Sequence, residues 1–205
     1  MSHRYGAIAF TDPVRQVQEA LGSRKSYLRM DEGDDRSHVL EQDEIDFIAA
    51  RDSFYMATVS ATGWPYVQHR GGPAGVVRVL DATTIGFADF RGNRQYISVG
   101  NLSTDDRVAL FFMDYANKRR LKLFGRAILI GGERQQMLSR LEQPGYKARV
   151  ERGVLIKVEA FDWNCPQHIT PRYTLAEIEA SVAPLRQRIA DLETELGAKV
   201  AAVNP

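Results

Sequence analysis

The residue types best suited to chemistry lie in one short segment, Arg-Gly-Asn-Arg-Gln at 91–95, between a strand pattern and a helix pattern. A glycine lets the backbone turn tightly, and the start of a helix exposes backbone N–H groups toward an anion. Arg94 can donate two parallel hydrogen bonds to phosphate oxygens, while Asn93 and Gln95 supply neutral hydrogen bonds. The segment predicts a phosphate-binding turn, but the same composition is also common in ordinary strand–turn–helix connections.

A second candidate segment, Gln-His-Arg-Gly-Gly-Pro-Ala-Gly, occupies residues 68–75 between two strand patterns. Its glycines remove side chains where a flat ligand could approach the backbone, next to His69 and Arg70. A β-bulge or a barrel corner also requires glycine. The two interpretations are compatible, and the sequence leaves both open.

A third segment, 163–173, combines Trp163, His168 and Arg172 with two prolines that restrict it to an extended path. The four histidines of the chain are scattered without ligand spacing, and Cys165 is the single cysteine, so we expect neither a metal site nor an internal disulfide. The P-loop, the Gly-x-Gly-x-x-Gly fingerprint and the Gly-x-Ser-x-Gly elbow are absent from the sequence.

Composition narrows the class of protein further. The chain has 205 residues, of which 44% are hydrophobic and 26% charged, with a formal net charge of +1. These values predict a soluble globular protein without a nucleic-acid partner. The longest apolar run, 108–113, is far shorter than the roughly 20 residues of a membrane span. With no apolar signal core at the N-terminus and a single cysteine, we expect a cytoplasmic location and no membrane association.

The basic residues are unevenly distributed and mostly arginine. Of the 27 basic residues, 21 are arginine, and residues 70–126 hold ten basic against five acidic residues. Because the planar guanidinium matches phosphate and carboxylate oxygens, this region favours a bound anion. A solvated strand surface has the same composition, and that alternative stays open.

Seven segments have the β-branched, aromatic or alternating pattern of strands. They are Phe54–Ser60, Tyr66–Arg70, Val76–Leu80, Ile85–Phe90, Val108–Asp114, Leu121–Ile130 and Val154–Trp163. Parallel strands need crossovers of a dozen or more residues, and most of these connections are shorter. The pattern therefore predicts an antiparallel sheet closed into a barrel.

Helices are predicted at 41–52, 93–101 and 133–141, and the polar stretch 31–37 is typical of a mobile linker. The tail carries apolar residues at alternating spacings of four and three, which is the seam of a heptad repeat. They are Ile178, Val182, Leu185, Ile189, Leu192 and Leu196. We expect Pro184 to kink or restart the helix, and Lys199 interrupts the seam. Such a helix could pack on the barrel or pair with a second copy.

The order of these parts resembles the pyridoxamine 5′-phosphate oxidase family of FMN-binding split β-barrels. The helix at 41–52 precedes Gly63-Trp64-Pro65-Tyr66, Arg70, Leu80-Asp81, Gly86-Phe87, the turn at 93–95, and the segments 107–112 and 119–125. A bacterial subgroup with Gln-His-Arg-Gly-Gly-Pro, Gly-Asn-Arg-Gln-Tyr and Asn-Cys-Pro-Gln-His-Ile is more similar still. The resemblance implies a mainly β fold, an antiparallel six-stranded split β-barrel with N- and C-terminal helices. It also implies an N-terminal extension at 1–40, a barrel domain at 41–173 and a C-terminal amphipathic helix at 174–205.

The resemblance also implies FMN bound at the interface of a homodimer. The cofactor-binding residues that it indicates are His69, Arg70, Arg78, Asn93, Arg94, Gln95, Arg120, Trp163 and Arg172. Arg70 and Arg94 would hold the phosphate, Arg78 and Arg120 lie at ring positions, and Trp163 and Arg172 would come from the partner subunit. Where the family has Ser-Arg-Lys, this chain has Asn-Arg-Gln and one positive charge fewer.

The substrate is expected to differ from that of true pyridoxine phosphate oxidases, whose tail motif is Arg-Leu-His-Asp-Arg. The matching stretch here, 168–172, keeps only the final arginine, and His168 becomes the candidate for a catalytic contact with a small-molecule substrate. The resemblance implies an oxidoreductase that passes a hydride through FMN to an acceptor or oxygen. A flavin-binding protein without turnover, or a barrel that uses deazaflavin or haem, remains open.

Overall fold

In a computed structural model, residues 4–28, 30 and 36–203 are described, and they form an antiparallel sheet with flanking helices. The strands are β1 (Ser53–Val59), β2 (Pro65–Gly71), β3 (Val77–Asp81), β4 (Thr84–Phe90), β5 (Arg107–Asp114), β6 (Arg119–Ile130) and β7 (Val150–Trp163). Their order in the sheet is β2-β1-β5-β6-β7-β4-β3, and every pairing is antiparallel. The predicted barrel class is confirmed, but the count of six was wrong, because the described sheet has seven strands.

The sheet curls around a large apolar core, and a smaller buried cluster contains Ala88, Ile130 and Leu141. Phe54 in β1 and Phe87 in β4 are separated by three strands in the sheet order, yet their ring centroids are 5.1 Å apart. Phe112 in β5 stacks on Phe54 at 5.5 Å. A flat sheet would hold neighbouring strands about 4.8 Å apart and keep these rings distant. The curvature brings β2 close to β4, where Arg70 contacts Asp89.

The helices frame this sheet. They are α1 (Arg4–Ala9), α2 (Asp12–Ala20), α3 (Arg24–Tyr27), α4 (Gln42–Ala49), α5 (Ile97–Leu102), α6 (Gln135–Leu141) and α7 (Leu175–Val203), with a 3-10 turn at Gly132–Arg134. A reciprocal capping box between Glu41 and Glu44 starts α4. None of the described helices is long and apolar enough to cross a membrane.

Two of the helix predictions were wrong in detail. The helix expected at 93–101 begins only at Ile97, because Arg94 and Tyr96 adopt left-handed backbone conformations (φ 63° and 55°) that no α-helix accommodates. The expected restart at Pro184 does not occur, because α7 runs through this residue, and the expected kink stays a prediction. Proline removes one backbone hydrogen bond, which the remaining turns of a 29-residue helix tolerate. Most of the predicted linker, 31–35, lies outside the described residues.

The described chain separates into two compact units. One consists of residues up to 114 together with 119–166 and contains the whole sheet. The other consists of residues 115–118 and 167 onward and contains α7. Thr174 caps α7, since its hydroxyl accepts the Glu177 N–H at 3.2 Å and its own N–H donates to the Glu177 carboxylate at 2.7 Å. The proposed three-part domain division stays a prediction.

Candidate functional site

A polar cleft of about 60 Å³ opens where β2 faces the end of β4. It is lined by Gln68, Arg70, Asp89, Phe90, Gly92, Asn93, Arg94, Tyr96, Ile97, Ser98, Val99 and Glu151. Three residues predicted from separate sequence segments, Arg70, Asn93 and Arg94, therefore meet at one place. The curl of the sheet causes this meeting, because β2 and β4 are not neighbours in the strand order.

The turn at 91–96 has an unusual local structure. The Asn93 side-chain oxygen accepts the Gln95 N–H at 3.1 Å, which forms an Asx turn. Arg94 and Tyr96 are both left-handed, and each costs a residue with a Cβ roughly 1–2 kcal/mol. A Cβ at Gly92 would meet open space within 4 Å. Two strained residues in one short exposed turn are typical of a segment shaped for a ligand.

Arg94 is exposed and remains a donor at the mouth of the cleft. Its Nε donates to the Tyr96 hydroxyl at 3.3 Å, and that hydroxyl donates to Glu151 at 3.2 Å. The hydrogen bond to Tyr96 raises the pKa of the guanidinium above its usual range, so Arg94 is charged at any working pH. This chain of contacts orients the guanidinium while leaving its terminal N–H groups toward solvent.

Asp89 is a buried carboxylate that contacts two arginine side chains. Arg70 Nη1 donates to Asp89 Oδ1 at 2.5 Å, and Arg152 Nη1 lies 3.7 Å from Asp89 Oδ2. Arg70 also lies over the Phe87 ring at 5.1 Å. Arg70 Nε and Arg152 Nη1 are buried without a hydrogen-bond acceptor. Arg152 also pairs with Glu151 at 3.1 Å, so Arg70, Arg94 and Arg152 against Asp89 and Glu151 give these side chains a net charge of +1, which suits an anionic ligand.

Gln68 and Glu151 complete the polar lining. Gln68 accepts hydrogen bonds from Arg70 Nη2 at 3.3 Å and from the Ser98 hydroxyl at 3.1 Å. Glu151 accepts from Arg152 at 3.1 Å. Gln68 and Arg70 point into the barrel because alternate residues of β2 share a face. These contacts hold the cleft in shape without filling it.

His69 and Arg78 are not brought into the cleft. His69 points to the opposite face of β2, where its ring contacts Tyr55 edge-on at 5.4 Å. Arg78 lies beneath the glycine-rich loop, and its Nη2 donates to Gln143 at 3.0 Å. The Gln143 amide donates in turn to the Gly75 carbonyl. Arg78 thus supports the loop 72–76 in this arrangement.

Gln95, Arg120 and Trp163 also lie apart from the cleft lining. Gln95 is exposed beside it, and Arg120 has a buried Nε without an acceptor on β6. Trp163 packs edge-on against Phe47 at 4.7 Å, and its indole N–H donates to Glu44 at 2.8 Å. Trp163 therefore fastens the end of β7 to α4.

His168 and Arg172 belong to the unit that contains α7. His168 has a left-handed backbone (φ 61°), which is uncommon for a residue other than glycine. The Arg172 guanidinium lies over the Tyr115 ring at 4.7 Å. Among the described residues, no cluster of three histidine, cysteine, aspartate or glutamate side chains could hold a metal ion.

Sequence reasoning missed several residues of the cleft. Gln68, Asp89, Ser98 and Glu151 line it, and Arg152 lies behind them. A charged residue inside a strand pattern was a usable signal for Asp89, because a charge in a largely buried strand requires a partner. Arg152 lies two residues before the predicted strand at 154–163. The pairing itself depends on the sheet order, which local patterns do not encode.

A second feature of the same unit is an apolar groove of about 260 Å³ on the outer face of β1, β2, β5 and β6. Its lining includes Tyr55, Ala57, Val67, Ala109, Phe111 and Phe124. Val67 is 59% exposed, and Tyr5 of α1 stacks on Phe124 at 5.3 Å. Contiguous exposed apolar surface of this kind marks an interaction surface.

Comparison with known families decides the affiliation of the chain. The model of the pyridoxamine 5′-phosphate oxidase family matches residues 40–163, which is more than half of the chain and spans all seven strands and the cleft. The chain belongs to this family. The resemblance stated from the motifs is thereby confirmed. No curated protein matches the chain significantly.

Solved structures of low sequence identity are similar to the chain. HupZ of Group A Streptococcus is 18% identical over 65% of this chain and 99% of that chain, with a TM-score of 0.49. A putative pyridoxamine 5′-phosphate oxidase from Lactobacillus delbrueckii is 19% identical over 61% and 94%, with a TM-score of 0.47. An FMN-binding protein from Syntrophomonas wolfei is 13% identical over 72% and 97%, with a TM-score of 0.46.

Proposed function

We propose that this member of the family is an FMN-binding oxidoreductase that acts on a small molecule other than a pyridoxine phosphate. The observation that carries the proposal is the cleft in which Arg70, Asn93 and Arg94 meet. Its donors match a phosphate monoester, which requires several N–H or O–H groups and a compensating positive charge. FMN ends in such a phosphate.

The residues of the cleft have distinct tasks in this proposal. Arg94 donates two hydrogen bonds to phosphate oxygens from the turn, and Asn93 keeps that turn closed through its bond to the Gln95 N–H. Arg70 supplies charge from the opposite wall and is oriented by Asp89. Arg152 lies 3.7 Å from the same carboxylate but donates to Glu151 at 3.1 Å, so Asp89 and Glu151 balance Arg70 and Arg152, and Arg94 supplies the net positive charge.

The remaining predicted residues are proposed as contacts of the flavin ring or of its surroundings. His69, Arg78 and Arg120 belong to this group, with Trp163 and Arg172 contributed by the partner subunit. His168 is proposed as the catalytic contact with substrate. The bound flavin supplies the redox chemistry by accepting a hydride, while the chain's own residues bind and orient it and exclude water.

We further propose a homodimer with the cofactor at the interface. A cleft of about 60 Å³ is much smaller than the roughly 300–1,000 Å³ of small-molecule pockets, so one chain encloses only part of such a ligand. The apolar groove of about 260 Å³ offers a surface that a second copy could cover. A cytoplasmic location is proposed as well, supported by the single cysteine.

Ligand titration tests the cofactor proposal. Purified protein stripped of ligand is titrated separately with FMN, with a deazaflavin cofactor and with haem, and flavin fluorescence or haem absorbance reports binding. We expect FMN to bind with the highest affinity. Preferential binding of deazaflavin or haem would contradict the choice of cofactor while keeping the cleft as the site.

Reduction of the holoprotein tests whether it turns over. We expect anaerobic addition of NADH or NADPH to bleach the flavin absorbance, and subsequent addition of oxygen to restore it. Stable FMN binding without bleaching by either donor would favour a flavin-binding protein without turnover over an enzyme that takes hydride from nicotinamides.

A further inference from the structure

The apolar seam of α7 is exposed along its length. The exposed fraction is 46% for Ile178, 64% for Leu185, 56% for Ile189, 46% for Leu192 and 63% for Leu196, with Val182 partly buried. These six residues follow spacings of four and three, so they form one stripe on a straight helix. The helix has 29 residues and is about 43 Å long at 1.5 Å per residue. An exposed apolar stripe of this length indicates that α7 packs against a partner helix.

The residue types at the two seam positions specify the kind of partner. In heptad notation, Val182, Ile189 and Leu196 occupy a, and Ile178, Leu185 and Leu192 occupy d. β-branched residues at a combined with leucine at d favour two parallel strands over trimers or tetramers. The two central layers, at Val182–Leu185 and Ile189–Leu192, have this combination. The chemistry of the seam therefore favours a parallel pair.

Charges beside the seam agree with the same arrangement. Arg188 is at g and Glu193 at the following e, the two positions that face each other across a parallel pair in register. The contact forms twice because a pair of identical helices is symmetric. Arg186 at e faces the neutral Ser181 at g, so no like charges oppose each other there. Within one helix, Arg188 also lies 3.9 Å from Glu195, and both side chains are more than half exposed. Exposed ion pairs contribute little, so this contact competes only weakly with the contact between Arg188 and Glu193 of the second helix.

We propose that α7 pairs with the α7 of a second copy of this chain as a parallel, in-register, two-stranded coiled coil. The pairing is a separate interface from the cofactor cleft and does not depend on FMN. The central layers 182–192 carry it, while Lys199 at d weakens the C-terminal end. Pro184 falls at c, away from the seam, and so leaves the contact surface intact.

Cysteine cross-linking tests the orientation and register directly in the full-length protein. The exposed Cys165 is first replaced by serine, and Leu185→Cys is then introduced at a d position. Two such cysteines face each other only in a parallel, in-register pair, and we expect most of the protein to form a disulfide-linked dimer under mild oxidation. The matched control is Gln187→Cys, at the outward f position two residues away, which should cross-link at least tenfold less.

The outcomes decide between the possible partners of the stripe. Equal cross-linking at 185 and 187 would indicate random collision and would overturn the coiled coil. Failure of Leu185→Cys to cross-link would overturn it as well, and is the result expected if α7 packs within its own chain, pairs antiparallel or binds another protein. Because the readout uses no cofactor, it is independent of any failure to bind FMN.

Charge exchange supplies a second test that leaves the seam unchanged. In the Cys165→Ser, Leu185→Cys background, Arg188→Glu places glutamates opposite each other twice, and we expect the cross-linking rate to fall about fivefold. Adding Glu193→Arg restores opposite charges and should restore the rate. Arg186→Glu is the control, because its partner position is Ser181. No rescue by the double exchange would contradict the proposed register.

Discussion

Arg94 is the side chain on which the phosphate interaction depends most directly, because it is exposed at the cleft and its terminal N–H groups face solvent. Arg94→Gln removes the charge and keeps a hydrogen-bond donor. The loss of charge-assisted hydrogen bonds, worth about 1.5–3 kcal/mol, should raise the Kd for FMN about tenfold to a hundredfold. Flavin fluorescence quenching measures this Kd.

The matched control is Arg107→Gln on β5, another exposed arginine held by a neighbouring side chain, Asp105. It lies outside the cleft lining and should leave the Kd unchanged. If both substitutions weaken FMN binding equally, the net charge of the protein controls the affinity, and the contacts made by Arg94 in the cleft do not. Unchanged binding in Arg94→Gln would remove this residue from the site.

Replacement of Asp89 is expected to lower the free energy of unfolding even when no ligand is bound. Asp89→Asn leaves Arg70 buried without a carboxylate, while Arg152 keeps Glu151, and breaking a buried ion pair from one side costs about 3 kcal/mol. Urea unfolding of the ligand-free protein measures the loss in the free energy of unfolding. Asp105→Asn should lower it less, because water solvates the exposed Arg107 guanidinium that loses its partner. Equal stability of Asp89→Asn and wild type would contradict the account of the cluster.

Asp105 provides a test of the surface electrostatics by pH. Hydrogen bonds from Arg107 lower the pKa of this carboxyl from 3.8 to about 2. Since the pKa is lower in the folded state, the stabilisation is complete above pH 3.8 and disappears as the pH falls through about 2. NMR titration of the carboxyl carbon should show this pKa, and Arg107→Gln should return it toward 3.8. A normal pKa in the wild type would contradict the pairing.

Sequence alone could identify Arg70, Asn93 and Arg94, because turn chemistry and arginine content are local signals. It could not identify Arg152 or Asp89 as their neighbours, since that pairing depends on how β2, β4 and β7 are ordered in the sheet. It also grouped His69 with Arg70, although consecutive strand residues point to opposite faces. The roles of these residues in cofactor binding stay predictions.

Among the elements, β6 and β7 lie too close together at Gly125 to leave room for a side chain. The register of the two strands shifts between Phe124 and Gly125. A Cβ at Gly125 would lie 2.5 Å from Ile156 Cγ2 and 2.7 Å from the Lys157 carbonyl oxygen. Gly125→Ala should therefore destabilise the fold by about 1–3 kcal/mol, measured by thermal or urea unfolding.

Gly100 in α5 is the control for that substitution. A Cβ there meets nothing within 4 Å, and its backbone is helical. Gly100→Ala should stabilise the protein by about 0.5–1 kcal/mol, because alanine restricts the unfolded chain. Similar effects of both substitutions would mean that the close approach of β6 and β7 relaxes without cost.

Helices and strands were predicted best where the apolar residues of a segment follow a single periodicity. All seven strand segments were found, with ends that match or are shifted by up to four residues, because the alternation of apolar residues is local. The start of α5 was missed, since nothing in the composition of Asn93–Tyr96 signals two left-handed residues other than glycine. The count of six strands came from family resemblance rather than from the pattern, and the pattern was correct.

At the scale of the whole molecule, the curled sheet, the cleft and the apolar outer face are proposed to form one flavin-binding dimer. The cleft supplies the phosphate end of the site, and the second copy is proposed to supply the rest. Family membership, which rests on residues 40–163, makes flavin the first ligand to seek.

The most direct measurement is the identity of the ligand that the protein carries when purified. We expect a yellow protein with the two visible absorption bands of oxidised flavin, and FMN, identified by mass, released on denaturation in about one equivalent per chain. A colourless protein that also fails to bind added FMN would contradict the central claim. The cleft would then be a site for another anion.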